Sequence, residues 1–499
     1  MNAESAKLRE FAPEWQQQYA MNAAASIEGR SGWVRTDTGH SALFNEPLHT
    51  LLSKAAEISG REHEMLVRSD PFAGLASERP VRAFLALVIS GKRNDYPEWA
   101  WRTFLYSEAR KTDKPKFSAL IAERLSRLPA SAMAEFVLPA SDWFLKSSKV
   151  LLSAYPGQFE RVWVKLILVL RSNMKTAKSS SVRNNKEPDW ATEALNSPAG
   201  KLSESLMDDP AKDHLEIGKG FPATWISRVE ELLTLEGDLR RHALVIFAFN
   251  LNWFFAIDPI WTEENLISVL DQEGDDQNAV WDGFFWNAKV PDQKLYMHIK
   301  HHLLSLARRK SSSRRGHFGV LSAILLAGWG SIDQETGNLC VTSAEMRDVL
   351  LDTDDDFRTK TLWQLKVWSS RGWKEKLPVF LTEVWPRHKK VKGPKIPAAL
   401  FDLAFSDADN FSEIADIILP LVTEINQEHI VLHNLRRAKN DIVDQSPEKV
   451  LALLFAVLPE NVSAWPYGIE ATLDGIGAAD PSLLNDARLV ELKRRWNAR

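Results

Sequence analysis

Cysteine is nearly missing from this chain. Cys340 is the single cysteine among 499 residues, so neither an intrachain disulfide nor a cysteine-rich structural zinc site can form. Chains that do without disulfides are typical of reducing compartments. The sequence therefore predicts a cytoplasmic protein.

Long apolar runs are missing as well. The longest, such as 162–170 and 320–330, are shorter than the ~20 residues that a membrane-spanning helix needs. The first ten residues are polar and charged, and they lack the apolar core of a signal peptide. We therefore expect a soluble protein without a membrane partner.

Neither sign of charge dominates. The chain has 62 Lys and Arg residues against 66 Asp and Glu residues, which gives a formal net charge of −4. That balance argues against binding nucleic acid or membranes through overall charge, but it leaves room for a local basic patch.

Recognised catalytic motifs are also absent from the sequence. There is no P-loop, dinucleotide fingerprint or nucleophile elbow, and the fragments 218–220 and 328–330 lack the strand–loop–helix context of a nucleotide site. An EF-hand loop begun at either acidic cluster, 271–276 or 352–356, lacks glycine at its sixth position. We therefore predict a non-enzymatic protein with no catalytic residues, no cofactor and no metal.

Tryptophan, by contrast, is abundant. The chain has 19, and the stretch 224–307 is the densest in aromatic residues. Tryptophan buries a large area and usually marks a packed core or an interface. Trp281 and Trp286 are accordingly candidates for a protein interface.

Apolar periodicity predicts helices along most of the chain. In 159–171 the apolar residues recur at i, i+3, i+4, i+7, i+8 and i+11, so one helical face is wholly apolar. Strand signals are confined to a short hairpin near 331–342. These patterns predict an all-α fold, either an α-solenoid of stacked helical repeats or a multi-layer helical bundle.

A polar basic segment divides the chain. Residues 172–189 contain almost no large apolar side chains and cannot bury enough surface to offset their ordering entropy. We expect an N-terminal helical subdomain at 1–171, a linker or loop at 172–189, a central aromatic-rich subdomain at 190–330 and a C-terminal helical-repeat subdomain at 331–499.

Three histidines lie close together in the predicted helix 295–307. The segment reads His298-Ile-Lys-His301-His302, which lacks the H-E-x-x-H pattern of zinc proteases and has no carboxylate in register. A packing or protein-interface role is therefore predicted for His298 and His302.

Three basic loops are the strongest polar signal: 171–186, 308–317 and 387–395. Each is either a separate solvated loop or part of one surface that binds phosphate groups or an acidic protein. The candidate contact residues in the last two loops are Arg308, Arg309, Lys310, Arg314, Arg315, Arg387, Lys389 and Lys390. A nucleic-acid-binding module using the three loops is the alternative function.

Three segments resemble a known family. They are ATEALNSPAGKLSESLM (191–207), WDGFFWNAKVPDQKLYMHIKHHLL (281–304) and ADPSLLNDARLVELKRRW (479–496). They look like the helical C-terminal region of bacterial anti-phage defence-associated sirtuin proteins, and the resemblance covers the chain from about residue 32 onward.

The resemblance implies a division of labour. In that family an N-terminal sirtuin domain degrades NAD, while the helical part detects infection or holds the assembly together. The nucleotide loop and catalytic histidine of the sirtuin core are absent from this sequence, so no catalytic residue carries over. The resemblance thus implies a scaffold or sensor in anti-phage defence. Its partners would be a separately encoded effector enzyme, a phage protein or both. The sequence does not determine the number of subunits in the assembly.

Overall fold

A computed structural model gives the structure over residues 35–61, 67–172, 179–180, 187–309, 316–406, 408–425 and 441–498. Helices make up 72% of it and strands 2%, which confirms the predicted all-α class. Contacts divide the chain into two compact units, Met1–Ala177 and Lys178–Arg499. The finer division at 171, 189 and 330 remains a prediction.

The first unit contains a small three-stranded sheet. Its middle strand, Val67–Ser69, pairs in parallel with Arg35–Asp37 on one side and antiparallel with Gly60–Arg61 on the other. The expectation that any strands would lie only near 331–342 was therefore wrong. Strands of two or three residues are too short to produce a recognisable alternation of apolar and polar side chains. The strands are β1 Arg35–Asp37, β2 Gly60–Arg61 and β3 Val67–Ser69.

The expected hairpin at 331–342 is reduced to one bridge. Among the described residues of this stretch, only Ile332 and Leu339 pair, in antiparallel fashion. The chain then enters a helix through a capping box, in which Thr342 and Glu345 satisfy each other's backbone N–H groups.

Helices build the remainder of the first unit. They are α1 Leu51–Ile58, α2 Pro71–Glu78, α3 Pro80–Gly91, α4 Glu98–Tyr106, α5 Pro115–Ser126, α6 Ala130–Ala134, α7 Val137–Ala154 and α8 Pro156–Ser172. The apolar stripe predicted for 159–171 is fully buried on α8. Trp101, Trp143 and Trp163 are also buried completely, so this unit has a core of its own.

The sequence patterns did not predict α7, although it has 18 residues. Its inward face includes serines as well as apolar residues, and Ser141 and Ser148 are fully buried. The Ser141 hydroxyl donates to the Val137 carbonyl at 2.9 Å. Buried hydroxyls satisfied within the helix interrupt the apolar period from which helices are predicted.

Packing in the second unit begins around the helix Asp238–Phe249, which contacts the helices Trp190–Leu195, Pro198–Met207 and Asp275–Trp286. Further along the chain, each helix packs on a near neighbour: Phe318–Trp329 on Asp355–Trp368, that helix on Ile396–Ala404, the next on Phe411–Ile418, and the last on Pro447–Val457. The helices up to residue 308 are α9 Trp190–Leu195, α10 Pro198–Met207, α11 Ala223–Leu233, α12 Asp238–Phe249, α13 Leu251–Ile257, α14 Pro259–Thr262, α15 Asp275–Trp286 and α16 Gln293–Arg308.

The remaining helices follow after residue 316. They are α17 Phe318–Trp329, α18 Ser343–Asp352, α19 Asp355–Trp368, α20 Lys376–Val379, α21 Ile396–Ala404, α22 Phe411–Ile418, α23 Asp441–Gln445, α24 Pro447–Val457, α25 Ile469–Ala479 and α26 Ala487–Asn497. Pro420 lies inside the apolar-periodic stretch 411–425, where it predicts a kink or a break in the helix; α22 ends at Ile418, two residues before it. The helix predicted at 428–439 lies outside the described residues.

A single helix is predicted at 262–272, because Thr262 can cap it and Glu263 and Glu264 lie in its first turn. The structure does not form one continuous helix there. After α14 the chain forms a π-helical turn at Glu263–Ile267 and a 3₁₀ turn at Ser268–Asp271. We call 263–274 the acidic connection, since it carries several carboxylates between α14 and α15. In the described part of the chain, no helix is long and apolar enough to cross a bilayer.

Candidate functional site

A cluster of aromatic rings reaches the surface of the second unit. Phe221 lies between Trp253 and Trp261, with ring centroids 5.4 and 5.8 Å away. These three rings are half-buried, whereas the neighbouring Ile217 and Ile260 are 80% and 72% exposed. We call these five residues the aromatic surface.

Two glycines position the segment of this surface that contains Ile217 and Phe221. Gly218 and Gly220 adopt φ values of 75° and 76°, which favour glycine. Their N–H groups donate to the carbonyls of Ala256 and Ile257 at 2.9 and 3.0 Å. These hydrogen bonds hold the fragment 218–220, and with it Phe221, against the end of α13.

Carboxylates border the aromatic surface. Glu230 accepts a hydrogen bond from the Trp261 indole at 3.0 Å. Glu216, Glu263 and Glu264 are exposed beside Ile217 and Trp261 in the chain. Cations lie here as well: Lys212 has its Nζ 5.6 Å from the Trp253 ring centroid, and the exposed Lys219 follows Ile217 by two residues. The border is thus more acidic than basic.

The histidines of α16 face the acidic connection. His298 Nδ1 lies 3.2 Å from Glu263 Oε2, and His302 Nε2 lies 3.6 Å from Asp271 Oδ1. The sequence showed no carboxylate in register along α16; the fold supplies these carboxylates from a preceding segment. The predicted role of His298 and His302 in a protein interface remains a prediction.

His302 has a distinctive environment. Its side chain is 10% exposed, and its ring centroid lies 3.7 Å from that of the exposed His301. Burial, followed by the neighbouring His301, lowers the pKa of His302. A candidate set of metal ligands is formed here by three side chains, those of Asp271, His301 and His302. Each offers one potential ligand atom, and these three atoms lie within 4.8 Å of one another.

Arginines at the end of α16 are paired with acidic groups. Arg309 lies 3.1 Å from Glu273 and donates to the Gln277 side-chain oxygen at 2.7 Å. Arg308 reaches Asp348 and Asp352 of α18, each at 3.9 Å. The other candidate residues of this loop, Lys310, Arg314 and Arg315, lie outside the described residues.

The third basic loop also contacts α18. The buried Arg358 donates to the carbonyls of Leu350 and Lys390 at 2.8 and 3.2 Å. It thereby joins the exposed turn containing Lys389 and Lys390 to the end of α18. Lys395 pairs with Asp356 at 2.5 Å.

Arg387, the remaining candidate in the third loop, donates to the Leu381 carbonyl at 3.4 Å. The described ends of the second and third loops thus lie near one helix, α18. Its aspartates pair with Arg308, whereas Lys395 of the third loop pairs with Asp356 of α19. Of the first loop, 173–178 and 181–186 are outside the described residues.

The two tryptophans predicted for an interface lie in different environments. Trp281 is 4% exposed and stacks on Phe285 at 5.2 Å, so its indole belongs to the core. Trp286 is 41% exposed and contacts Phe249 at 4.9 Å. Its interface role remains a prediction.

Two acid–histidine pairs lie among α9, α12, α15 and the start of α17. Glu193 and His242 are 3.6 Å apart and almost inaccessible. Asp282 accepts from the Trp190 backbone N–H at 3.2 Å and pairs with His317 at 2.6 Å. These contacts join α9, α15 and the start of α17.

The sequence patterns did not indicate Ile217 and Phe221 as surface residues. They did indicate the aromatic stretch 224–307, on which Phe221 packs. The available signal was the Gly-Lys-Gly fragment before Phe221, which indicated a tight connection without indicating where it packs. Asp271 was noted only as part of an acidic cluster, because its proximity to His302 is a tertiary contact.

Comparisons with known proteins give one distant relative. An uncharacterized protein, y4cA of Sinorhizobium fredii, is 22% identical over 313 residues, which cover 60% of this chain and 26% of that protein. The chain thus spans about a quarter of that relative's length. No protein-family profile matches the chain, and neither does any solved structure.

Proposed function

We propose that this protein is a non-enzymatic helical scaffold or sensor that binds another protein through the aromatic surface. The observation that carries the proposal is two strongly exposed isoleucines beside three half-buried aromatic rings. Large apolar side chains gathered on a surface are typical of protein-binding sites, and tryptophan is enriched among residues that dominate binding energy.

The helical contacts favour a stacked array, as in an α-solenoid. From α17 to α24, helices pack on near neighbours in the chain, as expected when repeats bury their apolar faces against one another. Such arrays offer extended surfaces for docking and need no catalytic constellation.

The chemistry of the border favours one kind of partner. An apolar segment inserted over Phe221 and Trp253 would meet Glu216, Glu263 and Glu264 at its edges. We therefore expect a partner segment with a row of apolar residues flanked by lysine or arginine, since complementary charge at the rim directs association and specificity.

Binding is tested with an array of short amphipathic peptides. One set has its apolar face flanked by lysine, and the matched set has glutamate at the same positions. Full-length protein should bind the lysine set preferentially. The double variant Ile217→Asp, Ile260→Asp should weaken binding at least about tenfold, or ~1.4 kcal/mol.

A matched control is Val490→Asp on α26, because Val490 is a 51% exposed aliphatic residue outside the aromatic surface. It should bind the peptides as the wild type does. Equal binding of both peptide sets, or undiminished binding by the double variant with an unchanged melting curve, would contradict the proposal.

We further propose that the protein acts as a recognition or regulatory subunit in bacterial anti-phage defence. The support is the resemblance of 191–207, 281–304 and 479–496 to the helical region of defence-associated sirtuins. The long relative is compatible with a helical region that works beside other domains. Phage plating on cells with the intact gene, the double variant or a deletion tests this role; equal plating efficiencies would exclude it for the phages used.

A further inference from the structure

The contact between α16 and the acidic connection brings together three groups that bind metals well. Two are imidazoles, His301 and His302, and the third is the carboxylate of Asp271. Their potential ligand atoms lie within 4.8 Å of one another. His301 and Asp271 are exposed, so an ion can reach the cluster from solvent.

We propose that Asp271, His301 and His302 form a binding site for a borderline divalent transition-metal ion such as Zn²⁺. Two histidines and one carboxylate are a common ligand set for this class of ion, with water completing the coordination. The site does not depend on the aromatic surface or on a role in defence.

The geometry requires only a local adjustment. Nitrogen and oxygen ligands about 2.1 Å from a tetrahedral ion are about 3.4 Å from each other. The His302 Nε2 to Asp271 Oδ1 distance is 3.6 Å, close to that value. Where two ligand atoms lie farther apart than this, rotation of the exposed Asp271 and His301 side chains can bring them closer while the buried His302 stays in place.

The charges around the cluster suit a bound cation. Arg309 opposes a bound cation, but Glu273 and Gln277 hold its guanidinium. The carboxylates of Asp271 and Glu273 together outweigh its single charge.

Calorimetric titration of untagged, chelator-treated full-length protein with Zn²⁺ tests the site. Wild type should bind one ion with high affinity. Losing a second-shell partner typically costs about 10–100-fold in metal affinity, so Asp271→Asn and His301→Gln should each cost at least as much. His298→Gln is the matched control, because His298 lies on the same helix but pairs with Glu263; it should bind like wild type.

Chemical protection provides a readout that does not depend on how the variants fold. Diethyl pyrocarbonate should modify exposed His301 in metal-free wild type, and one equivalent of Zn²⁺ should block that modification while His298 stays reactive. The proposal is overturned by no saturable binding, by equal affinity in wild type and Asp271→Asn, or by unprotected His301.

Discussion

At the residue scale, Gly283 sets the distance between α12 and α15. A Cβ atom at this position would lie 2.2 Å from the Val245 carbonyl oxygen and 2.9 Å from its carbon. Backbone atoms cannot yield as the end of a flexible side chain can. The close approach of these helices therefore depends on the absence of a side chain at Gly283.

Gly283→Ala should therefore destabilise the protein. Alanine favours a helix by about 1 kcal/mol over glycine, but overpacking a tight contact costs typically ~1–3 kcal/mol. The clash with backbone should dominate, lowering the free energy of unfolding measured by urea denaturation with tryptophan fluorescence.

Gly319→Ala in α17 is the control for this prediction. A Cβ atom there meets nothing within 4 Å, so only the gain in helix propensity applies, and stability should stay the same or rise. A Gly283→Ala variant as stable as Gly319→Ala would show that α12 and α15 can separate without cost.

Residue types on their own revealed part of the candidate site. The tryptophan-rich stretch and the histidines of α16 were predictable, because residue chemistry and spacing are written in the sequence. The proximity of Asp271 to His302, and of Phe221 to Trp253, was not predictable. Those contacts depend on how turns at 218–220 and 263–271 direct the chain, and turn direction is decided by tertiary packing.

At the scale of elements, a buried ion pair connects a 3₁₀ turn to two helices of the first unit. Arg110 lies in the 3₁₀ turn Glu108–Thr112, and its Nη1 is 3.2 Å from Asp113 Oδ2. The guanidinium lies 4.6 Å from the Phe104 ring centroid of α4 and donates to the Ala76 carbonyl of α2 at 3.2 Å. One side chain therefore links this turn to two helices.

This ion pair predicts a pH dependence. Burial raises the pKa of Asp113 to about 6, although Arg110 opposes the shift. The folded state thus holds the proton more tightly than the unfolded state, whose value is the ordinary 3.8. As pH rises from about 4 to 6, this group should lower the free energy of unfolding, because only the unfolded state releases the proton freely.

Asp113→Asn isolates that contribution. In this variant Arg110 has no counter-charge at any pH. The resulting loss of stability is the same at every pH, so it does not affect how the stability difference from wild type changes with pH. The stability difference between wild type and Asp113→Asn, measured by denaturation between pH 4 and 7, should shrink as pH rises. A difference that grows with pH would mean that attraction to Arg110 outweighs burial.

The elements were predicted well where one face is purely apolar, as on α8. They were missed or merged where local chemistry interrupts the pattern. Buried serines concealed α7, and the predicted helix 262–272 became π and 3₁₀ turns. Such turns commonly occur at functional sites, and this one supplies Asp271, one of the three proposed metal ligands.

At the scale of the whole molecule, each of the two units has a buried core. Trp101, Trp143 and Trp163 are completely buried in the first, and Trp190 and Phe247 are completely buried in the second. Compact units with their own cores commonly fold alone. The solenoid predicted from helix spacing concerns the arrangement of such helices in space and remains a prediction.

Separate expression of Met1–Ala177 and Lys178–Arg499 should consequently give two folded proteins. Each should show a helical circular dichroism spectrum and a cooperative thermal transition, because the aromatic core that stabilises it is contributed by that unit. Zn²⁺ should raise the melting temperature of the second piece only, since binding to the native state stabilises it and Asp271, His301 and His302 all belong to that piece. A second piece that unfolds without cooperativity would show that its core needs the first unit; a first piece equally stabilised by Zn²⁺ would mean that the metal effect is not specific to these ligands.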